Sequence, residues 1–316
     1  MKRFREMTDE ERMVYIEQRI STSDISSAGK LNAAQAAQFI SLIADQTSLK
    51  DFVKTYTMTT PTLDLDNFLL DARQMRKPTE ATEYTTPLLS ATFAKRTLTP
   101  TEWIYPANVS YTFLEDNIAR DNFDGFLMGE LAKAVGNDLE DLNTNGDEKG
   151  AAGFIAQNDG WIALALANCH KYDTEGKAAP EGGYYFSDTI FPEMLAALPN
   201  KWKNDHTRLA FLMSPTDVET YEDEGISRQT GLGDRVLTTQ YTPPWKGIAV
   251  RPVPTMPDGT HILTLNQNLV RGIRREFSLE LVRQPRSRNV EITVTGRQDA
   301  EIEIIDALVI GSDQTA

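Results

Sequence analysis

The sequence predicts an α+β chain built around one extended hairpin and one very long helix, closed by a β-rich C-terminal segment. Three observations carry this. Residues 59–110 keep an extended texture, with Thr60-Pro61-Thr62-Leu63-Asp64-Leu65-Asp66 alternating at period two and Thr97-Leu98-Thr99 resuming the alternation. From Leu114 the period changes: Leu114, Ile118, Phe123, Phe126, Leu127, Leu131, Ala134, Val135, Leu139 and Leu142 recur at threes and fours, with one slip of five. The C-terminal stretches Phe277–Leu281, Val290–Thr295 and Ala300–Ile305 then return to strand alternation.

Taken in order, residues 1–58 read as a polar, helical arm. Thr8 with Glu11 forms a capping box, and Met13, Ile16 and Ile20 share one face. Ser21–Lys30 breaks the helix. Leu31–Ala44 resumes it, with Leu31, Gln35, Phe39, Leu42 and Ile43 near one stripe. So few apolar positions cannot form a core, so the arm must dock on something else. In 59–110 two strands flank a charged segment, Ala72–Glu80, that contains the strand-breaking Pro78. This predicts a long hairpin with a basic tip at Arg73, Arg76 and Lys77, the candidate inter-subunit contact residues. An isolated hairpin is marginal in water, so it needs a surface from its own chain or another copy.

The helix after residue 110 spans about 40 Å, more than the ~30 Å width of a small domain. It stops at Leu142-Asn143-Thr144-Asn145-Gly146-Asp147, where Asn and Gly end helices. A Gly-rich mixed segment is expected to Tyr185. Beyond it Phe191–Trp202 opens an α/β region with Pro192 at a helix start, and the strand Arg208–Met213 runs into a helix capped by Ser214 and Pro215. Thr238–Asn268 reads as strands and turns.

Composition excludes several classes. The chain has 316 residues, 40% hydrophobic content and a formal charge of −14, which argues against gripping nucleic acid as its main task. Its densest apolar run, Trp161–Ala167, is far short of a membrane span, and no secretory signal follows Met1. The single cysteine, Cys169, excludes an internal disulfide and suits a reducing compartment, so the chain is expected to be made soluble in the cytoplasm. The charge is uneven: between Arg271 and Arg297 seven arginines face three acids, a local +4 that leaves −18 for the rest. Such segregation favours contacts between copies; it equally suits a basic strand edge that discourages unwanted pairing.

The search for chemistry returns no catalytic, cofactor or metal site. Cys169 and His170 are adjacent and so point apart, and His206 and His261 have no ligand spacing around them. Gly231-Leu232-Gly233-Asp234 lacks the third glycine of a phosphate cradle. Asp141, Asn143, Asn145 and Gly146 match the start of a calcium loop, but its twelfth position is Ala152, so an Asx-rich helix stop is the simpler reading.

The order of elements resembles the major capsid protein of tailed bacteriophages, the Hong Kong 97 fold that bacterial encapsulins share. The resemblance covers about residues 31–311. It rests on Arg96-Thr97-Leu98 through Val109-Ser110 into Phe113-Leu114-Glu115-Asp116, on the helix to Asn145-Gly146-Asp147, on Phe211–Asp217, and on Ala307-Leu308-Val309-Ile310. It implies an N-terminal arm (1–58), an extended β-hairpin E-loop (59–110), and a peripheral domain with a spine helix (111–185 with 270–316). The remaining 186–269 would be an axial domain. It further implies self-assembly through pentamers and hexamers into an icosahedral virion head that encloses double-stranded DNA without sequence-specific binding. Partners would be further copies and a portal protein; because only about thirty residues precede Leu31, the resemblance implies either a separate scaffold protein or none, with decoration proteins a further option. No membrane and no enzymatic activity are implied. Two alternatives stay open: an encapsulin-like compartment with protein cargo, and a soluble oligomeric enzyme. An arm and a hairpin with no core of their own must bury their faces on neighbours, giving interlocked interfaces above ~2,000 Å².

Overall fold

The computed structural model describes residues 48–69, 92–113, 123–150, 153–173, 190–227, 242–274 and 278–312. In chain order these hold β1 (Lys54–Met58), β2 (Leu63–Leu69), β3 (Thr92–Leu98), β4 (Thr101–Ser110), α1 (Phe123–Asn145) and α2 (Trp161–Asn168). Then come β5 (His170–Asp173), α3 (Ile190–Ala197), β6 (Leu209–Met213), α4 (Pro215–Ser227), β7 (Ala249–Pro252), β8 (His261–Leu265), β9 (Leu269–Arg274), β10 (Ser278–Gln284), β11 (Asn289–Ile302) and β12 (Leu308–Ser312).

The first sheet is organised by β11. From Asn289 to Ala300 buried and half-buried positions of β11 alternate, as in a strand with one face in a core, and Glu301 and Ile302 continue it fully buried. β4 pairs with it antiparallel from Ser110↔Asn289 to Thr101↔Gln298. β10 and then β9 follow its other edge, and β1 adds in parallel to β9. The inner face of β4, β10 and β11 packs Trp103, Leu279, Val290, Ile292 and Val294 against Leu131, Val135 and Leu139 of α1. These helix positions are four apart, so they form one stripe. The described helix has 23 residues and spans about 34 Å at ~1.5 Å per residue.

The second sheet has the order β5-β12-β8-β6-β7. All five residues of β6, β8 and β12 are buried, because both faces of the sheet are covered. Phe211, Leu263 and Val309 meet α3 and α4 through Phe191, Met194 and Val218. On the other face Ala210, Leu212, Ile262, Leu308 and Ile310 meet α2 through Trp161 and Ala165, together with Phe52, Leu269 and Ile302. That shared cluster joins the two sheets, and the Trp161 indole N–H donates to the Val270 carbonyl at 3.2 Å.

The expected strand-to-helix step at residues 208–219 is present as β6 and α4, with the Ser214 hydroxyl accepting from the Asp217 N–H at 3.2 Å. Segment boundaries differ from expectation in four places. Residues 48–58 are part of the body: Phe52 is fully buried, and β1 is a strand where a polar helical arm was expected. β4 leaves the hairpin for the first sheet, so the hairpin proper is β2 with β3. β5 and β12 leave the segments assigned to the peripheral unit for the second sheet, since the uninterrupted apolar run Leu308-Val309-Ile310 needs cover on both faces. Finally, Trp161–Asn168 is a helix within the stretch expected to be Gly-rich and mixed. The expected arm helices, the helix start at 114–122 and the Gly231–Asp234 loop lie outside the described residues.

Candidate assembly surface

Among the described residues, the β2–β3 hairpin is anchored at its base. Leu65 and Leu98 pack with Met58 and Val270, and Gly272 permits this approach: a Cβ there would lie 2.9 Å from the Met58 sulfur and 3.1 Å from Leu98. Across the strands Lys95 pairs with Asp64 at 2.8 Å and the Thr97 hydroxyl donates to Asp64 at 2.8 Å. The Lys95 ammonium and that hydroxyl hold the Asp64 carboxyl below its usual range. Where β3 turns into β4, the Thr99 N–H donates to Asp299 Oδ2 at 2.6 Å. Burial pushes the Asp299 carboxyl up to about 6 against its backbone hydrogen bonds, and the nearby Glu301 and Asp159 charges add to the rise. Arg73, Arg76 and Lys77 lie outside the described residues, so their expected place at the hairpin tip stays a sequence reading.

The outer face of the β4–β11–β10 blade carries no layer of this chain's described residues. Ile104 is 65% exposed and Val282 51%, both on that face by strand alternation. Neighbouring outward positions are small or polar, among them Thr293, Thr295 and Asn108. The blade ends in the turn between β10 and β11, where Arg283, Arg286 and Arg288 are all exposed. Charge counting placed these arginines in a basic stretch without showing that a single turn gathers them.

At the far end of α1 the Asx-rich stop serves the helix itself. Asn145 Nδ2 donates to Asp141 and to the Thr255 carbonyl, each at 2.6 Å, while Asp147 Oδ1 accepts from the Lys149 and Gly150 N–H groups. Gly146 is required there, since a Cβ would sit 2.3 Å from the Asn158 carbonyl. Among the described residues no cluster of His, Cys, Asp and Glu has the geometry to hold a metal. Burial pushes the Cys169 thiol up to about 12, so it is held neutral and poorly nucleophilic. His261 is buried against Asp217, Nε2 to Oδ2 3.3 Å, and this pair closes the core of the second sheet. Sequence reading missed that pair, because residues 44 apart carry no local signal.

A second network ties Ser48 and β1 to α1 and β9. Glu140 accepts from the Ser48 N–H at 2.8 Å and from its hydroxyl, and Arg271 donates to the Thr55 hydroxyl at 3.2 Å. Burial pushes the Arg271 guanidinium down to about 10, opposed by the Glu140 charge.

Whole-chain comparison places this architecture. Over 97% of this chain and 98% of its counterpart, the structure matches the satellite phage P4 procapsid that includes the size determination (Sid) protein, with a TM-score of 0.68 at 13% identity. The chain has the fold of phage capsid proteins. The capsid of a native GTA particle matches over 85% of this chain and 91% of its own, with a TM-score of 0.62 at 13% identity. A virus-like particle from Pyrococcus furiosus matches less well, with a TM-score of 0.51 at 10% identity over 87% of this chain and 96% of its own. In sequence, the chain is 26% identical over 301 residues to a Bacillus subtilis (strain 168) protein with the provisional name prophage capsid protein YqbE, covering 92% of this chain and 94% of the relative. No family model matches. The expected resemblance to phage capsid proteins is therefore borne out, as is the α+β class of the capsid-like fold.

Proposed function

We propose that this chain is the major capsid protein of a phage or prophage, assembling with copies of itself into a closed icosahedral head around double-stranded DNA. The observation that carries the reading is the whole-length match to a phage procapsid, joined to a prophage capsid relative that is similar along nearly the entire sequence. In Hong Kong 97 terms β2–β3 would be the E-loop, α1 the spine helix, the first sheet the peripheral domain and the second sheet the axial domain. The geometry supports shell-building through two surfaces that the described residues do not complete: a hairpin that they anchor at its base, and a blade whose outer face they leave open.

Pentamers and hexamers follow if one heterologous contact closes rings of two sizes. An acidic chain inside such a shell would meet the genome mainly through counterions. A portal, a separate scaffold and decoration proteins would complete the virion, formed in the host cytoplasm. The role is structural rather than catalytic, which the neutral, half-buried Cys169 thiol supports. The encapsulin-like alternative has the weaker structural match and no sequence relative behind it.

Expression of the full chain, followed by velocity sedimentation and negative-stain microscopy, tests the reading. Ring-shaped oligomers or megadalton shells are expected. A monodisperse monomer with its hairpin folded onto its own body would overturn it, and shells that hold a protein cargo in place of nuclease-protected DNA would favour the compartment.

A further inference from the structure

The apolar contact between α1 and the first sheet ends at a polar residue on each of three elements. On α1 the stripe Leu131, Val135, Leu139 continues four residues on to Asn143. On β11 the inward positions Val290, Ile292 and Val294 lead past Gly296 to Gln298. On β9 Ile273 belongs to the same cluster, and the next inward position along the strand is Arg271. The register sets Gln298 opposite Ile273 and Arg271 opposite Ala300. Gln298 and Arg271 are therefore diagonal neighbours on one face, a separation that two long side chains span. Glu140, one turn before Asn143, brings the helix to the same place, because its charge acts on the Arg271 guanidinium. Beyond this point the face is apolar again, with Leu269, Ala300 and Ile302 in the cluster shared with the second sheet.

These three polar side chains are shut off from solvent, each no more than 3% exposed. Among the described residues none partners Asn143 Oδ1 and Nδ2, Gln298 Oε1 and Nε2, or Arg271 Nε. The nearby groups are already engaged: Arg271 Nη2 donates to the Thr55 hydroxyl, and Glu140 accepts from Ser48. Buried polar groups in folded proteins are met by protein or by ordered water in nearly every case.

The donor set selects the ligand. Two amide nitrogens and the guanidinium Nε donate, while two amide oxygens only accept. An anion would answer the N–H groups and leave both oxygens unmet. A cation would answer the oxygens and face the charge of Arg271. Water donates and accepts at once, and makes about three hydrogen bonds when buried.

We propose that the seam between α1 and the first sheet is a water-binding site, in which ordered water bridges the Asn143 amide, the Gln298 amide and the Arg271 Nε–H. Bound water then holds the end of α1 to the sheet where the apolar stripe stops at Leu139. The site lies within one subunit, so its test is separate from that of the shell reading.

Two measurements on the full chain test this. In the first, Asn143→Leu, Gln298→Leu and the two combined are unfolded in denaturant, below any concentration at which the chain assembles. Each single substitution is expected to lower the folded-to-unfolded ratio about tenfold or more, because it leaves the water and the remaining groups short of a partner. The combined loss should be smaller than the product of the two by about fivefold or more, since both amides serve one bridge. A gain in stability from either substitution would mean that the seam is dry, and overturns the proposal. Independent, multiplying losses overturn it as well, because the amides then share nothing.

The second measurement needs no variant, and decides the matter if one fails to fold. A high-resolution density map of the unaltered chain, assembled or not, should show a water peak about 2.7–3.2 Å from at least two of the named atoms. Direct contacts between the amides with no such peak overturn the proposal, and so does a peak coordinated as an ion.

Discussion

The two sheets solve the same problem in opposite ways. The second sheet has helices on one face and α2 with first-sheet residues on the other, so β6, β8 and β12 are buried from end to end. The blade of the first sheet has α1 on one face and leaves Ile104 and Val282 facing out on the other. One sheet is complete within the chain. The other presents a finished inner face and an outer face that the described chain does not cover. The difference separates a sheet that the chain covers on both faces from one whose outer face the described residues leave exposed.

The sharpest way to break this comparison is Phe211→Ala in β6. Phe211 is fully buried, edge-on to Phe191 with ring centroids 4.6 Å apart, so its loss should cost about 3–5 kcal/mol in denaturant unfolding. A cost below about 1 kcal/mol would mean the second sheet is not the stability core.

Asp217→Ala comes next, at about 3 kcal/mol, because it strands His261 and the Gly259 N–H in the same interior. Burial alone would raise the Asp217 carboxyl, but His261, Gly259 and Ser214 together hold it below its ordinary 3.8. Its contribution is present above the ordinary carboxylate range and is lost as pH falls through the depressed value. Unfolding midpoints should therefore drop more steeply in acid for the wild type than for Asp217→Ala.

Asp299 has the opposite sign. Its folded value of about 6 stands above the ordinary 3.8, so it stabilises the fold while protonated and loses that contribution as pH rises from about 4 through about 6. Asp299→Asn keeps an acceptor for the Thr99 N–H and should raise stability at neutral pH by on the order of 1–2 kcal/mol. It should also flatten the slope across that window in a Tm-against-pH series. An unchanged slope would mean the carboxylate is not desolvated at the hairpin hinge.

The smallest effect is expected on the blade. Ile104→Ser and Val282→Ser should leave the unfolding free energy of the unassembled chain within about 0.5 kcal/mol. If either costs as much as a core truncation, the outer face is covered by the chain itself and the contrast between the sheets collapses.

Much of this was legible in the sequence wherever the signal was local and periodic. The spacing of threes and fours from Leu127 to Leu142 marked α1, the alternation in Val290–Thr295 marked β11, and Ser214-Pro215 marked the start of α4. Where burial was two-sided the signal failed. Trp161–Ala167 gave no amphipathic stripe because α2 is apolar all round and wedged between sheets, and Leu308–Ile310 gave no indication of which sheet would take it. The polar texture before Lys54 hid β1, whose neighbour Phe52 is inserted in the shared core. Arg73, Arg76 and Lys77 stand together in sequence beside Pro78 and so read as a hairpin tip, whereas Arg283, Arg286 and Arg288 needed the β10–β11 pairing to become one cluster.

By itself the sequence determined the α+β class, the long helix with its Asn-Gly stop, the hairpin strands, and the absence of any matched catalytic motif. These depend on spacings of two to four residues, within which side-chain direction is set by the backbone. Only the tertiary structure decided that β5 and β12 join β8, that His261 meets Asp217, and that Asp299 holds the hairpin hinge. Those contacts link residues tens to hundreds of positions apart, and their partners are selected by the burial that the completed fold makes available.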